Sequence, residues 1–122
     1  MHGQNAIEID MKPEFRSSRD VIVRTRNLEQ AQKFYSTVLG FIVEEHSDTL
    51  KGFETGAFYL YLEKGKDHGP VFDFLVADVQ AAKAKLIAAG CTLIEEDASV
   101  PRCYVRDPYG IVFNIGLQSS GK

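Results

Sequence analysis

Val21-Ile22-Val23-Arg24-Thr25-Arg26-Asn27-Leu28 leads into an amphipathic stretch that stops at Gly40, and the chain then says the same thing again. Phe72-Asp73-Phe74-Leu75-Val76-Ala77-Asp78-Val79 opens a second amphipathic stretch, which stops at Gly90. The offset is 51 from Asn27 to Asp78 and 50 from Gly40 to Gly90. Each half therefore reads strand, capped helix, further strands. A period near fifty in a chain of 122 residues means two copies of one unit, because a solenoid needs at least three. Two units that cannot bury their apolar faces alone must pack together, and a site is expected between them.

Outward from these two stretches the elements follow by pattern. Val21, Val23 and Thr25 alternate with Ile22, Arg24 and Arg26, which is strand periodicity. Asn27 is positioned as an N-cap, with Gln30 reaching back as in a capping box. Leu28, Ala31, Phe34, Tyr35, Val38 and Leu39 recur at helical spacing, and Gly40 supplies a left-handed stop. Strands are expected at 41–46, 50–54 and 57–63, with Thr55-Gly56 as the tight turn between the last two. A polar, glycine-rich linker, 64–70, joins the halves. The second copy has a strand at 71–76, the N-cap Asp78, a helix carrying Val79, Ala82, Leu86 and Ile87, and strands at 92–95, 100–106 and 111–117. Asp107-Pro108-Tyr109-Gly110 has the residues that a type I turn prefers. The result is βαβββ twice, one helix backing each mixed sheet, an α+β arrangement. Residues 1–18 form an N-terminal extension, 19–64 the first module, 71–118 the second, within one domain spanning 19–122.

Composition excludes several classes. With 44% hydrophobic and 25% charged residues, neither disorder nor a membrane class is indicated, and no apolar run approaches the roughly 20 residues that span a bilayer. A net charge of −3 without a basic stripe argues against nucleic acid. The first ten residues lack a signal pattern, so a cytoplasmic location is expected. Cys91 and Cys103 read as buried free thiols, with a disulfide or a nucleophile as the alternatives. No glycine-rich phosphate loop or nucleophile elbow is present.

The same words in the same order resemble the glyoxalase / bleomycin-resistance / extradiol-dioxygenase superfamily, also called vicinal oxygen chelate. The residues that carry the resemblance are Asn27-Leu28, Phe34-Tyr35 and Leu39-Gly40-Phe41 in the first half. In the second they are Ala77-Asp78-Val79, Ala89-Gly90 and Arg106-Asp107-Pro108-Tyr109-Gly110. The resemblance implies two βαβββ modules whose sheets curve around a shared concave pocket, usually in a homodimer. It also implies three metal-ligand positions: seven residues before each helix cap, and four past the last turn glycine. Here they read Asp20, Val71 and Asn114. Valine offers no donor, and one carboxylate with a neutral amide suits a transition metal poorly. No metal or other cofactor is therefore expected. His46 and His68 are expected to be exposed.

Strand alternation also reads the wall of the pocket. Val21, Val23, Phe72, Phe74, Val76, Ile111, Phe113 and Ile115 should face the helices. Asp20, Ile22, Arg24, Val71, Asp73, Leu75, Val112 and Asn114 should face the concavity, with Phe58, Leu60 and Leu62 from the fourth strand and Arg102, Tyr104 and Arg106 from the seventh. Tyr59 and Tyr61 would then pack under the first helix, and Arg24 would pair with Asp73 or Asp20. Glu44-Glu45 and Glu95-Glu96-Asp97 read as solvated strand ends. An apolar wall with sparse polar groups suits a small organic ligand. The expected function is metal-independent binding of such a ligand, in the manner of bleomycin-resistance proteins, by Asp20, Arg24, Phe58, Leu60, Asp73, Arg102, Tyr104 and Asn114. The alternatives are a metal-dependent lyase, isomerase or dioxygenase with an atypical site of Asp20, Asn114 and water, or a scaffold with a collapsed pocket.

Overall fold

Clean alternation in the two repeat-opening strands puts them at the centre of the molecule. In the computed structural model, which describes residues 14–118, β1 (Arg16–Thr25) and β5 (His68–Val76) lie side by side, antiparallel. The other strands are β2 (Ile42–His46), β3 (Leu50–Glu54), β4 (Tyr59–Lys64), β6 (Thr92–Asp97), β7 (Arg102–Arg106) and β8 (Val112–Leu117). They form one eight-stranded sheet in the order β2-β3-β4-β1-β5-β8-β7-β6. Read outward from its centre, each half has the same order, and β1–β4 and β5–β8 are both parallel pairs. The duplication is thus a two-fold arrangement joined edge to edge within one chain.

Each half buries one face of its sheet under one helix. In the first, Leu28 of helix α1 (Leu28–Lys33, continued as a π-helical turn over Phe34–Val38) packs with Phe53, Leu60 and Leu62, joined by Val23, Ala31 and Tyr35. In the second, Ala82 of α2 (Val79–Ala88) packs with Val76, Cys103, Val105, Phe113 and Ile115. Phe53, Leu62 and Val105 are fully buried, each worth about 1.5–3 kcal/mol by removal of apolar surface from water. Both cysteines are free and buried, as expected.

Local chemistry explains where the elements stop. Asp78 caps α2, accepting from the Ala81 amide at 3.0 Å. Asn27 does not cap α1 with its side chain; its own amide donates to Thr25 Oγ1 at 3.1 Å, the bond expected of Gln30 in a capping box. The last turn of α1 widens because Thr37 Oγ1 and Ser36 Oγ donate to the carbonyls of Lys33 and Gln32, competing with the helical ladder. Gly40, at φ 77°, then ends it.

Several expected boundaries move. β1 begins at Arg16, inside the stretch read as an N-terminal extension, and residues 1–13 lie outside the described residues. His68–Pro70 belong to β5, so the connection between modules is only Gly65–Asp67. Gly69 (φ 114°) has no room for a side chain there: a Cβ would meet the Ile22 carbonyl at 2.9 Å. The β3–β4 connection is a four-residue loop, Thr55–Phe58, closed by the Thr55 amide on the Phe58 carbonyl, and not a two-residue turn. No helix among the described residues is long and apolar enough to cross a membrane.

Candidate functional site

The face of the sheet away from the helices forms the concavity, and pairing register fixes what stands on it. Val71, Asp73 and Asn114 lie there as expected, with Asp73 directly opposite Asn114. Tyr104 pairs with Asn114 on the other side. The fourth strand is the reverse of expectation. Leu60 and Leu62 are buried under α1, and Phe58 sits in the loop before β4, 39% exposed. Tyr59, Tyr61 and Glu63 take the concave positions instead, level with Asp20, Ile22 and Arg24 of β1. Leu60 and Phe58 therefore leave the site; Tyr61 enters it.

Arg24 does not pair with Asp73 or Asp20. Its Nε donates to Glu63 at 3.2 Å, and its two terminal nitrogens donate to Glu95 at 3.2 and 3.1 Å. Arg102 reaches the same two carboxylates, Glu95 at 2.9 Å and Glu63 at 2.7 Å. The four side chains close an ion-pair square, each arginine about 17–18% exposed. The Arg24 and Arg102 hydrogen bonds hold the Glu95 carboxyl below the usual carboxylate range against the opposing effect of burial. Tyr104 lies beneath, its ring 5.1 Å from the Arg102 guanidinium carbon and stacked on His68 at 5.9 Å. His68 is thus half-buried and not simply exposed.

Glu95 reaches the concave face through a break in strand register. Leu93 opposes Val105, and a bulge then sets Glu95, instead of Ile94, opposite Tyr104. The first module carries the same device: a bulge after Val43 sets Glu45 opposite Gly52. Glu45 and Glu95 are fifty residues apart, the offset of the two helix-ending glycines, so the repeat itself is the signal that could have found both. Gly52 leaves room below Glu45: a Cβ there would lie 2.6 Å from the Glu45 carboxylate and 2.6 Å from the Tyr59 hydroxyl, so these side-chain ends would have to shift.

The square divides the concavity. Leu50, Glu63 and Arg102 line both a compartment of about 500 Å³, completed by Arg24, Lys64, Lys66 and Glu95, and one of about 170 Å³, completed by Ile22, Tyr61, Tyr104, Asn114, Val100 and Pro101. Tyr104 is 3% exposed, and its hydroxyl has no hydrogen-bond partner among the described residues. Burial raises its phenol above the ordinary value. Beyond Asn114 the wall turns acidic. Burial and the neighbouring Asp73 raise the Asp20 carboxyl, and burial with the Glu45 and Glu44 carboxylates pushes Tyr59 up to about 12.

The three positions where the superfamily implies metal ligands can be tested against this geometry. Val71 is buried and offers no donor. The Asn114 amide is committed on both sides: its oxygen accepts from the Cys103 amide and its nitrogen donates to Asp73, each at 2.8 Å. Asp20 alone carries a charge. Among the described residues no three His, Cys, Asp or Glu side chains gather at metal-binding distance. The donor set does not fit a transition-metal centre, which wants imidazole or several carboxylates.

The comparisons with known proteins agree with the architecture. A family model described as a glyoxalase-like domain matches residues 20–116. Among solved structures, the chain is similar to a hypothetical protein, BH1468, from Bacillus halodurans C-125 (TM-score 0.65, 9% identity, covering 90% of this chain and 99% of that one). It is similar to homoprotocatechuate 2,3-dioxygenase from Brevibacterium fuscum (TM-score 0.63, 22% identity, 88% of this chain and 38% of that one). It is also similar to a glyoxalase/bleomycin resistance protein/dioxygenase superfamily member from Vibrio splendidus 12B01 (TM-score 0.56, 18% identity, 80% and 96%). At these identities the likeness is one of fold, and the chain spans well under half of the dioxygenase's length. No curated protein matches. The chain belongs to the glyoxalase-like domain family, and its fold is that of the glyoxalase / bleomycin-resistance / extradiol-dioxygenase superfamily.

Proposed function

We propose that this protein binds a small organic ligand in the concave face without a metal, in the manner of the superfamily's bleomycin-resistance branch. One observation carries the reading: where the superfamily's metal ligands would stand, the wall offers Asp20, Val71 and a committed Asn114, beside a cavity lined by Tyr61 and Tyr104. Aromatic faces, aliphatic Ile22 and Leu50 and a few hydrogen-bonding groups are what a ligand pocket needs. Asp73, Arg102, Tyr104 and Asn114 remain the proposed orienting residues, with Arg24 acting through the square and Tyr61 replacing Phe58 and Leu60. A homodimer in the cytoplasm is part of the proposal. Exposed Phe34, Val38, Leu39 and Ile42 at the end of α1 and the start of β2 supply apolar surface for such a contact.

The rival reading, a metal-dependent lyase, isomerase or dioxygenase, has one observation in its favour. The Asp20 carboxylate accepts no hydrogen bond among the described residues and is open to a ligand or an ion. A thermal-shift screen of small ring compounds and divalent metals separates the two. A ligand at a hundred times its Kd stabilises by about 2.7 kcal/mol, easily read as a rise in Tm. The proposal expects organic compounds to raise Tm and Tyr104→Phe to weaken the effect. Stabilisation by a divalent metal alone would overturn it.

A further inference from the structure

The charge balance of the concave face names the ligand class. The glutamates of the square, Glu63 and Glu95, use both Arg24 and Arg102. Arg19 is spent on Glu54 at 2.6 Å, and Arg106, at the end of β7, is exposed. Asp20, Glu45 and Asp73 therefore face the concavity with no ion pair among the described residues, and Arg19, paired with Glu54, is the one cation whose charge lowers the Asp20 carboxyl. Among the described residues Asp73 accepts only the neutral Asn114 amide, Glu45 has the Tyr59 hydroxyl at 3.5 Å, and the Asp20 carboxylate has no donor. All three raise the Tyr61 phenol, and no cation acts against them there.

A second feature points to an occupant. The small compartment, about 170 Å³, is room for about six waters at about 30 Å³ each, hence for one small ring. Tyr104 lines it, 3% exposed, and its hydroxyl has no partner among the described residues, a group that costs free energy until something bonds it. Tyr61 and Asn114 line this compartment and also adjoin the acidic strip: the Tyr61 ring packs at a tilt against Tyr59, centroids 4.8 Å apart, and Asn114 donates to Asp73. A ring lodged beside Tyr61 and Tyr104 would carry a substituent toward Asp20, Asp73 and Glu45.

We infer that the ligand is a single-ring organic cation, its ring in the compartment of Tyr61 and Tyr104 and its ammonium group facing Asp20, Asp73 and Glu45. This rests on reading the concave face as a binding pocket. Carboxylates and the Tyr61 ring both favour an ammonium, whereas an anion would meet three carboxylates that have no ion pair among the described residues. The test is calorimetric titration of the full chain with three probes of equal size: benzylammonium, benzyl alcohol and benzoate. Benzylammonium is expected to bind roughly tenfold or more tighter than benzyl alcohol, with benzoate weakest. The preference should shrink with added salt and vanish in an Asp20→Asn/Asp73→Asn double variant that still binds benzyl alcohol. Asparagine at 73 keeps an acceptor for the Asn114 amide, and Asp20→Asn alone should halve the preference should the double variant fold poorly. Benzyl alcohol or benzoate binding as tightly as benzylammonium would overturn the inference and leave the pocket standing. No binding by any of the three would overturn both.

Discussion

Replacing Arg102 by Met removes one corner of the ion-pair square while keeping the length of the side chain over Tyr104. Two charge-assisted hydrogen bonds disappear, to Glu95 at 2.9 Å and Glu63 at 2.7 Å. Such bonds contribute about 1.5–3 kcal/mol each. Both carboxylates keep Arg24 and are about 30% exposed to water, so the loss is discounted to about 2–3 kcal/mol in all. With unfolding entropy near 2.1 cal/mol/K per residue, 122 residues convert 1 kcal/mol to about 4 °C. Arg102→Met should therefore melt about 8–12 °C below the parent at pH 7. The pH dependence has a definite sign. Glu95, whose carboxyl the arginines hold low, contributes stability that is fully present above its unfolded value of about 4.3 and is lost as pH falls through its depressed folded value. The gap between variant and parent should be flat from pH 6 to 8 and close as the pH drops below about 4. Differential scanning calorimetry at five pH values decides. A fall in Tm under 2 °C at pH 7, or a gap undiminished at pH 3, would refute the reasoning.

Other perturbations have different signs. Asp20→Asn should stabilise the free protein near neutral pH by under about 1 kcal/mol, because burial and Asp73 raise the Asp20 carboxyl. That gain should be absent below the unfolded value of about 3.9 and complete once the pH exceeds the folded one, as read by urea melts at pH 3.5 and 7. Lys51 is fully buried, with Nζ at 3.0 Å from the exposed Glu29 and 3.2 Å from His46. Lys51→Met should leave Tm unchanged or raise it, since it removes a buried charge and leaves partners that water can reach; a fall beyond about 5 °C would contradict this. Burial raises both thiols. Cys91 and Cys103 should react with a disulfide reagent only as fast as the chain unfolds, with faster labelling of either contradicting their place in the second core.

The two modules were legible because their opening strands and helix ends obey local rules. Phe72, Phe74 and Val76 alternate with Asp73 and Leu75, and Gly40 and Gly90 adopt the left-handed conformation their positions demanded. The fourth strand was not legible. Phe58 to Leu62 is apolar or aromatic at every position, and tyrosine suits either face, so alternation says nothing about which side is inside. The ion-pair square was hidden for another reason. Glu95 reaches the concave face only through a bulge, and a one-residue shift of register sends every later side chain to the opposite face. Arg24 then found glutamates from β4 and β6, where counting along single strands offered only Asp20 and Asp73. Asp20, Asp73, Tyr104 and Asn114 stand on the expected face because the β1–β4, β5–β8 and β7–β8 pairings that carry them run in unbroken register.

The central claim is that the concave face works without a metal. The most direct measurement is metal content by mass spectrometry after the chelator-free protein is equilibrated with Mn, Fe, Ni and Zn and desalted. The account predicts far less than one ion per chain for every metal, unchanged in Asp20→Ala. One ion per chain, lost in Asp20→Ala and kept in His46→Ala, would contradict it.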